Sequence, residues 1–300
     1  MNRLREIGKI VIRSFKNFGE DKIPKYSASL AYTTVFSLGP LLIVIIFICS
    51  LFFGQEATQG KIYSEMQQFV GHDAALQLQT IIQNASLSGK GTFAAVIGII
   101  TLLLGATAVF AEIQDSINTI WGLKAKPKKG LWKLVRNRFL SFSVVISLGF
   151  LLLVSLAIST IVEAMSDKLK ASFPDVTVVL FYILNLLISF IVITALFAVI
   201  FKVLPDAKTK WMDILPGALA SGILFMIDKF AIAFYIGKSH VGTTYGAAGS
   251  LVVLLVWVYY SAMILYLGAE FAKAWSSDKG SSILPNDYAI ALKKNSNGTR

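Results

Sequence analysis

Residues 26–53 read YSASLAYTTVFSLGPLLIVIIFICSLFF, and from Leu38 to Phe53 the run carries no charge. Counted from Leu30, about 24 residues at about 1.5 Å each exceed a hydrocarbon core of roughly 30 Å. The run therefore reads as a spanning helix, the one open-ended element whose backbone is satisfied without water. Its first half is less apolar. Ser29, Thr33 and Ser37 recur every fourth residue, which sets three hydroxyls on one helical face. Lipid has no partners for them, so this stripe is expected to face protein or a wet cavity.

Five more runs of this kind follow. With 55% hydrophobic and 15% charged residues, the chain departs from the soluble average of about 45–50% and 25%. The apolar residues gather into long runs, which a soluble core would not require. Spans are expected at about 30–53, 92–112, 139–162, 176–201, 214–236 and 247–272, giving an all-α polytopic membrane protein with six transmembrane helices. The second run continues without a breaker through AEIQDSINTIW to Gly122. The fifth opens with Leu215-Pro216-Gly217, where proline suits a helix start, and holds the small pair Ala218 and Gly222 for close helix approach. Residues 1–25 repeat Leu4, Ile7, Val11, Phe15 and Phe18 among basic residues, an amphipathic cytoplasmic helix that suits either an anionic leaflet or the protein's own loops. Residues 54–91 form an extracellular loop with one or two short helices. Residues 273–300 form a cytoplasmic tail, with order expected to end near Tyr288.

The net charge of +11 raises the possibility of a nucleic-acid partner, and the distribution argues against it. The amino-terminal segment, the second-to-third and fourth-to-fifth connections and the tail hold 22 basic residues, against 5 in the other three connections. Alternation of that kind is topology: both termini are expected in the cytoplasm. No signal peptide is expected, since no short apolar region with a cleavage site precedes the first span. One cysteine, Cys49, gives no disulfide framework, and the two histidines are far apart in sequence, so neither metal nor cofactor is expected. Phosphate-cradling glycine loops and serine elbows are missing too, so no enzymatic activity is expected.

What remains are ionisable and polar groups placed where hydrocarbon penalises them. Asp228 and Lys229 lie in the fifth span, Asn185 in the fourth, and with Ser29, Thr33 and Ser37 they make a candidate pathway or substrate-binding set. Asp228 comes about fourteen residues after the span begins, roughly 20 Å, which is beyond mid-membrane. Glu112, Asp115, Arg136, Arg138 and Glu270 make a candidate charge cluster at the cytoplasmic ends, where Lys202 also falls. The plainer reading of the charged groups is interfacial ion pairing that holds the bundle together. Paired carboxylates acting as acid and base would need a nucleophile or a metal set beside them, and the sequence supplies neither.

Four runs carry a family resemblance: SASLAYTTVFSLGPLL, EIQDSINTIWGL, VLPDAKTKWMDILPGAL and YGAAGSLVVLLVWVYYSAMILYLGAEFA. Over about Phe15–Ala272 the chain resembles the YihY/BrkB family of bacterial inner-membrane proteins. Ser29, Leu30, Ala31, Tyr32, Phe36, Ser37 and Pro40 carry the first part of the match, and Pro216 and Gly217 the middle. Tyr245, Gly246, Gly249, Ser250, Tyr260, Ser261, Gly268, Ala269 and Glu270 carry the last. The resemblance implies six helices in the inner membrane. Some members of that family are associated with virulence and serum resistance, and lipid or small-molecule transport is the activity suggested for them, with no settled biochemical activity implied. The ribonuclease label once attached to the family is regarded as an error. The expected function is therefore a transporter or lipid-translocating protein that meets anionic headgroups at its cytoplasmic face. A non-transporting scaffold for envelope integrity is the alternative, and a ribonuclease comes third. Oligomeric state is not legible.

Overall fold

The computed structural model describes residues 2–37, 108–125, 174–238, 249–279, 283–287 and 289–292. The third span and the extracellular loop, expected at 139–162 and 54–91, lie outside these residues, as do Arg136 and Arg138. Six helices are described: α1 (Asn2–Glu20), α2 (23–37), α3 (108–120), α4 (Pro174–Val203), α5 (Trp211–Lys238) and α6 (Gly249–Asp278). Four short strands accompany them: β1 (Leu123–Ala125), β2 (Ala207–Lys208), β3 (Leu284–Pro285) and β4 (Ala289–Ala291). Three stretches among the described residues are long and apolar enough to cross a membrane: Leu186–Val203, Trp211–Asp228 and Leu254–Asp278. The described residues form two compact units. One draws on Met1–Ile23, Gln114–Asp228 and Ile264–Arg300, the other on Pro24–Ile113 and Lys229–Met263.

Helix ends follow local chemistry. Lys22 takes a left-handed conformation (φ 54°) after α1, where its N–H bonds the Gly19 carbonyl at 3.1 Å. A non-glycine residue there stores roughly 1 kcal/mol of strain or more. Pro24 then sits near the start of α2, so Ile23-Pro24 opens the next helix as well as closing the first. Gly122 adopts φ 69° and ends α3 as the sequence predicts.

The fifth span differs from its sequence expectation. It begins at Trp211 rather than near Ile214, which puts Pro216 inside the helix instead of in its first turn. The start is set by Asp213, whose carboxylate accepts the Lys210 N–H at 3.3 Å while its own N–H bonds the Lys210 carbonyl at 3.1 Å. That is half a capping box, and it outweighs the proline signal. Pro216 cannot bond the Met212 carbonyl four residues back, and Met212 is 82% exposed.

A second correction concerns the tail. Order expected to stop near Tyr288 continues through Leu292: Ala289, Ile290 and Ala291 pair antiparallel with Ala125, Lys124 and Leu123. Leu284 and Pro285 likewise pair with Lys208 and Ala207. Strand pairing draws on main-chain groups, so a segment poor in large apolar side chains still finds a place, and Ala289 is buried.

Packing has the inverted pattern of a membrane protein. On α5 the row Leu215, Leu219, Ile223 and Ile227 is exposed at four-residue spacing, as a lipid-facing stripe would be. Ile214, Ala218 and Ser221 are buried. Close approach of α5 and α6 rests on small residues. A Cβ on Gly217 would lie 2.5 Å from the Gly268 carbonyl oxygen and 2.7 Å from the Ala272 Cβ. A Cβ on Gly268 would strike the Ser221 hydroxyl. The pairs Gly217/Ser221 and Gly268/Ala272 thus face each other, a small-xxx-small contact on both helices. Gly222, singled out from sequence for close approach, makes it with α4, where a Cβ would strike the Thr194 hydroxyl and crowd Phe190.

Gly268→Val is expected to lower the stability of the purified protein by about 1–3 kcal/mol or more, as overpacking does. Gly8→Ala, on a helix surface with nothing within 4 Å, should leave stability unchanged or raise it by up to about 1 kcal/mol. Thermal unfolding in detergent, followed for both variants, checks the pair.

Candidate functional site

Polar groups that the helices bury collect at one place in the first unit, where α3 ends, α4 passes into α5, and α6 meets α1. Asp206 is its centre. It follows Pro205 just after α4 and is 1% exposed. Its two carboxylate oxygens accept hydrogen bonds from the Gln114 amide at 3.0 Å and the Asn118 amide at 3.1 Å. The Asp206 N–H donates to the Asn118 amide oxygen at 2.8 Å, and its carbonyl accepts the Asn286 N–H at 2.9 Å. Gln114 and Asn118 stand four apart on α3, so one face of that helix presents both amides. Buried amides and carboxylates satisfied this fully make a rigid joint rather than an open binding surface.

One turn on, the Trp121 indole N–H donates to the Ala269 carbonyl at 2.9 Å, tying α3 to α6. The adjacent Glu270 is fully buried. It accepts from the Asn17 amide of α1 at 2.6 Å and from the Lys273 ammonium at 2.9 Å, and Lys273 also reaches Asp21 at 2.7 Å. One lysine bridges two carboxylates, and an amide of α1 completes the set. The chain returns once more through Leu292, whose N–H bonds the Gly122 carbonyl at 2.7 Å.

The sequence-derived candidates fall unevenly around this joint. Glu270 belongs to it, but its cation is Lys273, one turn along the same helix, rather than Lys202. The Lys202 ammonium instead donates to the Thr209 carbonyl and lies 5.8 Å above the Trp211 ring. Asp115 is exposed on α3, beside Thr119, whose hydroxyl donates to the Asp115 carbonyl at 2.7 Å. Glu112 is half-buried. In the second unit, the hydroxyl stripe bonds its own helix: Thr33 donates to the Ser29 carbonyl at 2.9 Å and Ser37 to the Thr33 carbonyl at 2.8 Å. Such back-bonding satisfies a hydroxyl in an apolar setting. Asn185 lies within α4 and Lys229 within α5.

Asp228 has a different setting. It comes eleven residues after Gly217, three helical turns, and so continues the face that Gly217 and Ser221 present, away from the Leu215–Ile227 row. The residue is half-buried, and no described residue donates to its carboxylate. Thr194 of α4, beside Gly222, is also buried, and its hydroxyl has no hydrogen bond among the described residues. Among the described residues no group of three or more histidines, cysteines or acids gathers as a metal site.

Gln114, Asn118 and Asp206 are absent from the sequence-derived candidates. A signal for them exists: two amides four apart between the apolar positions Ile113, Ile117 and Ile120, and an acid directly after the proline that ends a span. All three lie within EIQDSINTIWGL and VLPDAKTKWMDILPGAL, runs that carry the family resemblance.

Residues 14–289 match the family model described as virulence factor BrkB. A UPF0761 membrane protein of Xanthomonas campestris pv. campestris is 29% identical over 266 residues, 88% of this chain and 60% of that one. Relatives of the same description occur in Ralstonia nicotianae, 26% identical over 276 residues (90% and 58%), and in Stenotrophomonas maltophilia, 28% over 279 residues (90% and 62%). The chain thus spans about three-fifths of the length of these relatives. No solved structure matches it.

Removing Lys273 as Lys273→Met leaves the buried Glu270 without its cation and is expected to cost up to about 3–5 kcal/mol. The double change Glu270→Gln, Lys273→Met should recover much of that loss, because no uncompensated charge then stays buried. Asp206→Ala strands two buried amides at about 1–3 kcal/mol each. Unfolding midpoints of the four proteins, wild type included, measure these differences.

Proposed function

Because the chain belongs to the BrkB family of integral membrane proteins, we propose that it is a transporter or lipid-translocating protein of the bacterial inner membrane, with six spans and both termini in the cytoplasm. The observation that carries this reading is Asp228. A carboxylate at hydrocarbon depth is penalised by about 2.5–3.5 kcal/mol, and such groups usually mark a pathway or find a partner. Asp228 sits on the protein-facing side of α5, in line with Gly217 and Ser221, and no described residue donates to it. The buried Thr194 hydroxyl adds a second polar group on α4. A headgroup or solute passing between helices would meet these groups. Anionic headgroups are its partners at the cytoplasmic side, met first by Lys133, Arg136 and Arg138. Only positions and charges move in this mechanism, so the protein performs no covalent chemistry and needs no cofactor.

A second reading has an observation of its own. The joint at Asp206, Trp121 and Glu270 satisfies its polar groups internally, as expected of a membrane scaffold whose buried charges serve packing alone. The two readings separate on flux. In proteoliposomes containing a fluorescent phosphatidylglycerol analogue, wild type should accelerate transbilayer movement, and Asp228→Asn should slow it about tenfold or more, a barrier change of about 1.4 kcal/mol. Equal rates for the variant, wild type and protein-free vesicles would favour the scaffold.

Sidedness has its own check. In a Cys49→Ala background, a cysteine at Lys129 is expected to react with an impermeant maleimide only after cells are permeabilised, and one at Lys61 in intact cells. The reverse pattern would overturn the orientation.

A further inference from the structure

The amino-terminal helix has two working faces, and only one is used inside the protein. Ile10, Ser14 and Asn17 of α1, with Asp21 just beyond it, follow one another at helical spacing and turn inward. Ile10 and Ser14 are buried, Asn17 bonds Glu270, and Asp21 pairs with Lys273. Arg5, Lys9, Ile12 and Lys16 follow the same spacing on a row about 140° away. All four are exposed, Ile12 at 70%, and Phe15 beside them is 59% exposed. Two large apolar side chains framed by cations, on a helix outside every spanning segment, have the composition of a surface that enters the headgroup region of a membrane. The acids on the exposed part of α1 are Glu6 and Glu20, one near each end.

A second observation concerns what α1 is tied to. The inward face bonds α6 at Glu270 and Lys273, close to the end of the Leu254–Asp278 span. These bonds tie α1 to the last two to three turns of that apolar stretch, and a place near the end of a span lets Ile12 and Phe15 reach acyl chains while lysine and arginine stay among phosphates.

We propose that the Arg5–Lys9–Ile12–Lys16 row of α1, with Phe15, is a docking surface for the anionic phospholipids of the leaflet in which α6 ends. The surface depends neither on transport nor on which side of the membrane the termini occupy. It acts as a lipid-bound brace: the leaflet grips the outer row while Asn17 and Asp21 hold α6 through the inner one.

The test uses the full chain with Cys49→Ser and Ile12→Cys, labelled with an environment-sensitive dye and placed in lipid nanodiscs, which expose both faces. In discs of phosphatidylglycerol and phosphatidylcholine, brominated acyl chains should quench the dye. Quenching should fall at least about twofold in pure phosphatidylcholine, and likewise after Arg5→Gln, Lys9→Gln and Lys16→Gln together. These are exposed side chains, and gel filtration of the triple variant confirms folding. A dye unquenched in anionic discs would overturn the proposal, as would quenching indifferent to lipid charge. Self-quenching that grows with protein per disc would overturn it too, by giving the face to a second copy of the chain.

Discussion

Hydrocarbon offers no hydrogen bonds, and the described structure is arranged by that constraint. Hydroxyls on α2 turn back onto their own helix. Deeper in the first unit, Ser221 of α5 lies 3.4 Å from the Ile264 carbonyl of α6, where glycines let the two backbones close. Where α3 ends and α4 passes into α5, the solution changes from back-bonding to a shared joint. There Asp206 is held by two amides, and Glu270 by an amide and a lysine. Each carboxylate brings together segments far apart in sequence, so the constraint that makes them costly also makes them specific.

This joint has a mechanical consequence. Strands β1 to β4 are too short to be stable alone, yet they knit the connections after α3 and α4 to the carboxyl-terminal segment beside Asp206. Asn286 bonds the Asp206 carbonyl, and Leu292 bonds that of Gly122. Exposed pairs such as Lys208–Asp287, at 2.6 Å, add little by comparison. The rigidity of the region rests on buried amide–carboxylate bonds, with the strand pairs as ties. Against this fixed end Asp228 stands out, since the helix that carries it is anchored at its start by Asp213 and Gly217 and meets no described donor at Asp228 itself.

Much of this architecture is legible in the sequence because hydropathy and breakers act locally. The presence of α4, α5 and α6, the end of α3 at Gly122 and the amphipathic α1 all follow from runs, periods and turn residues, while the start of α5 and the end of α6 do not. The partners of buried polar groups do not, because nothing in a single run says which distant run it meets. Glu270 is visible as a costly charge, but its partner Asn17 is 253 positions away, and an amide on a surface helix gives no sign of it. Gln114 and Asn118 are hidden by a different cause: flanked by isoleucines, they read as the polar side of a helix when they belong to its buried side. The carboxyl-terminal strands escaped because edge pairing leaves almost no compositional trace.

The central claim is that the face of α5 continuing from Gly217 and Ser221 to Asp228 is wet at hydrocarbon depth, while the row ending at Ile227 is not. Reaction rates of single cysteines at these two neighbouring positions with a small charged thiol reagent, in a Cys49→Ala chain reconstituted in vesicles, measure it most directly. The account predicts that Asp228→Cys reacts at least about tenfold faster than Ile227→Cys, on the exposed apolar row of α5. Equal, negligible rates at both positions would contradict it and leave Asp228 in a dry interior.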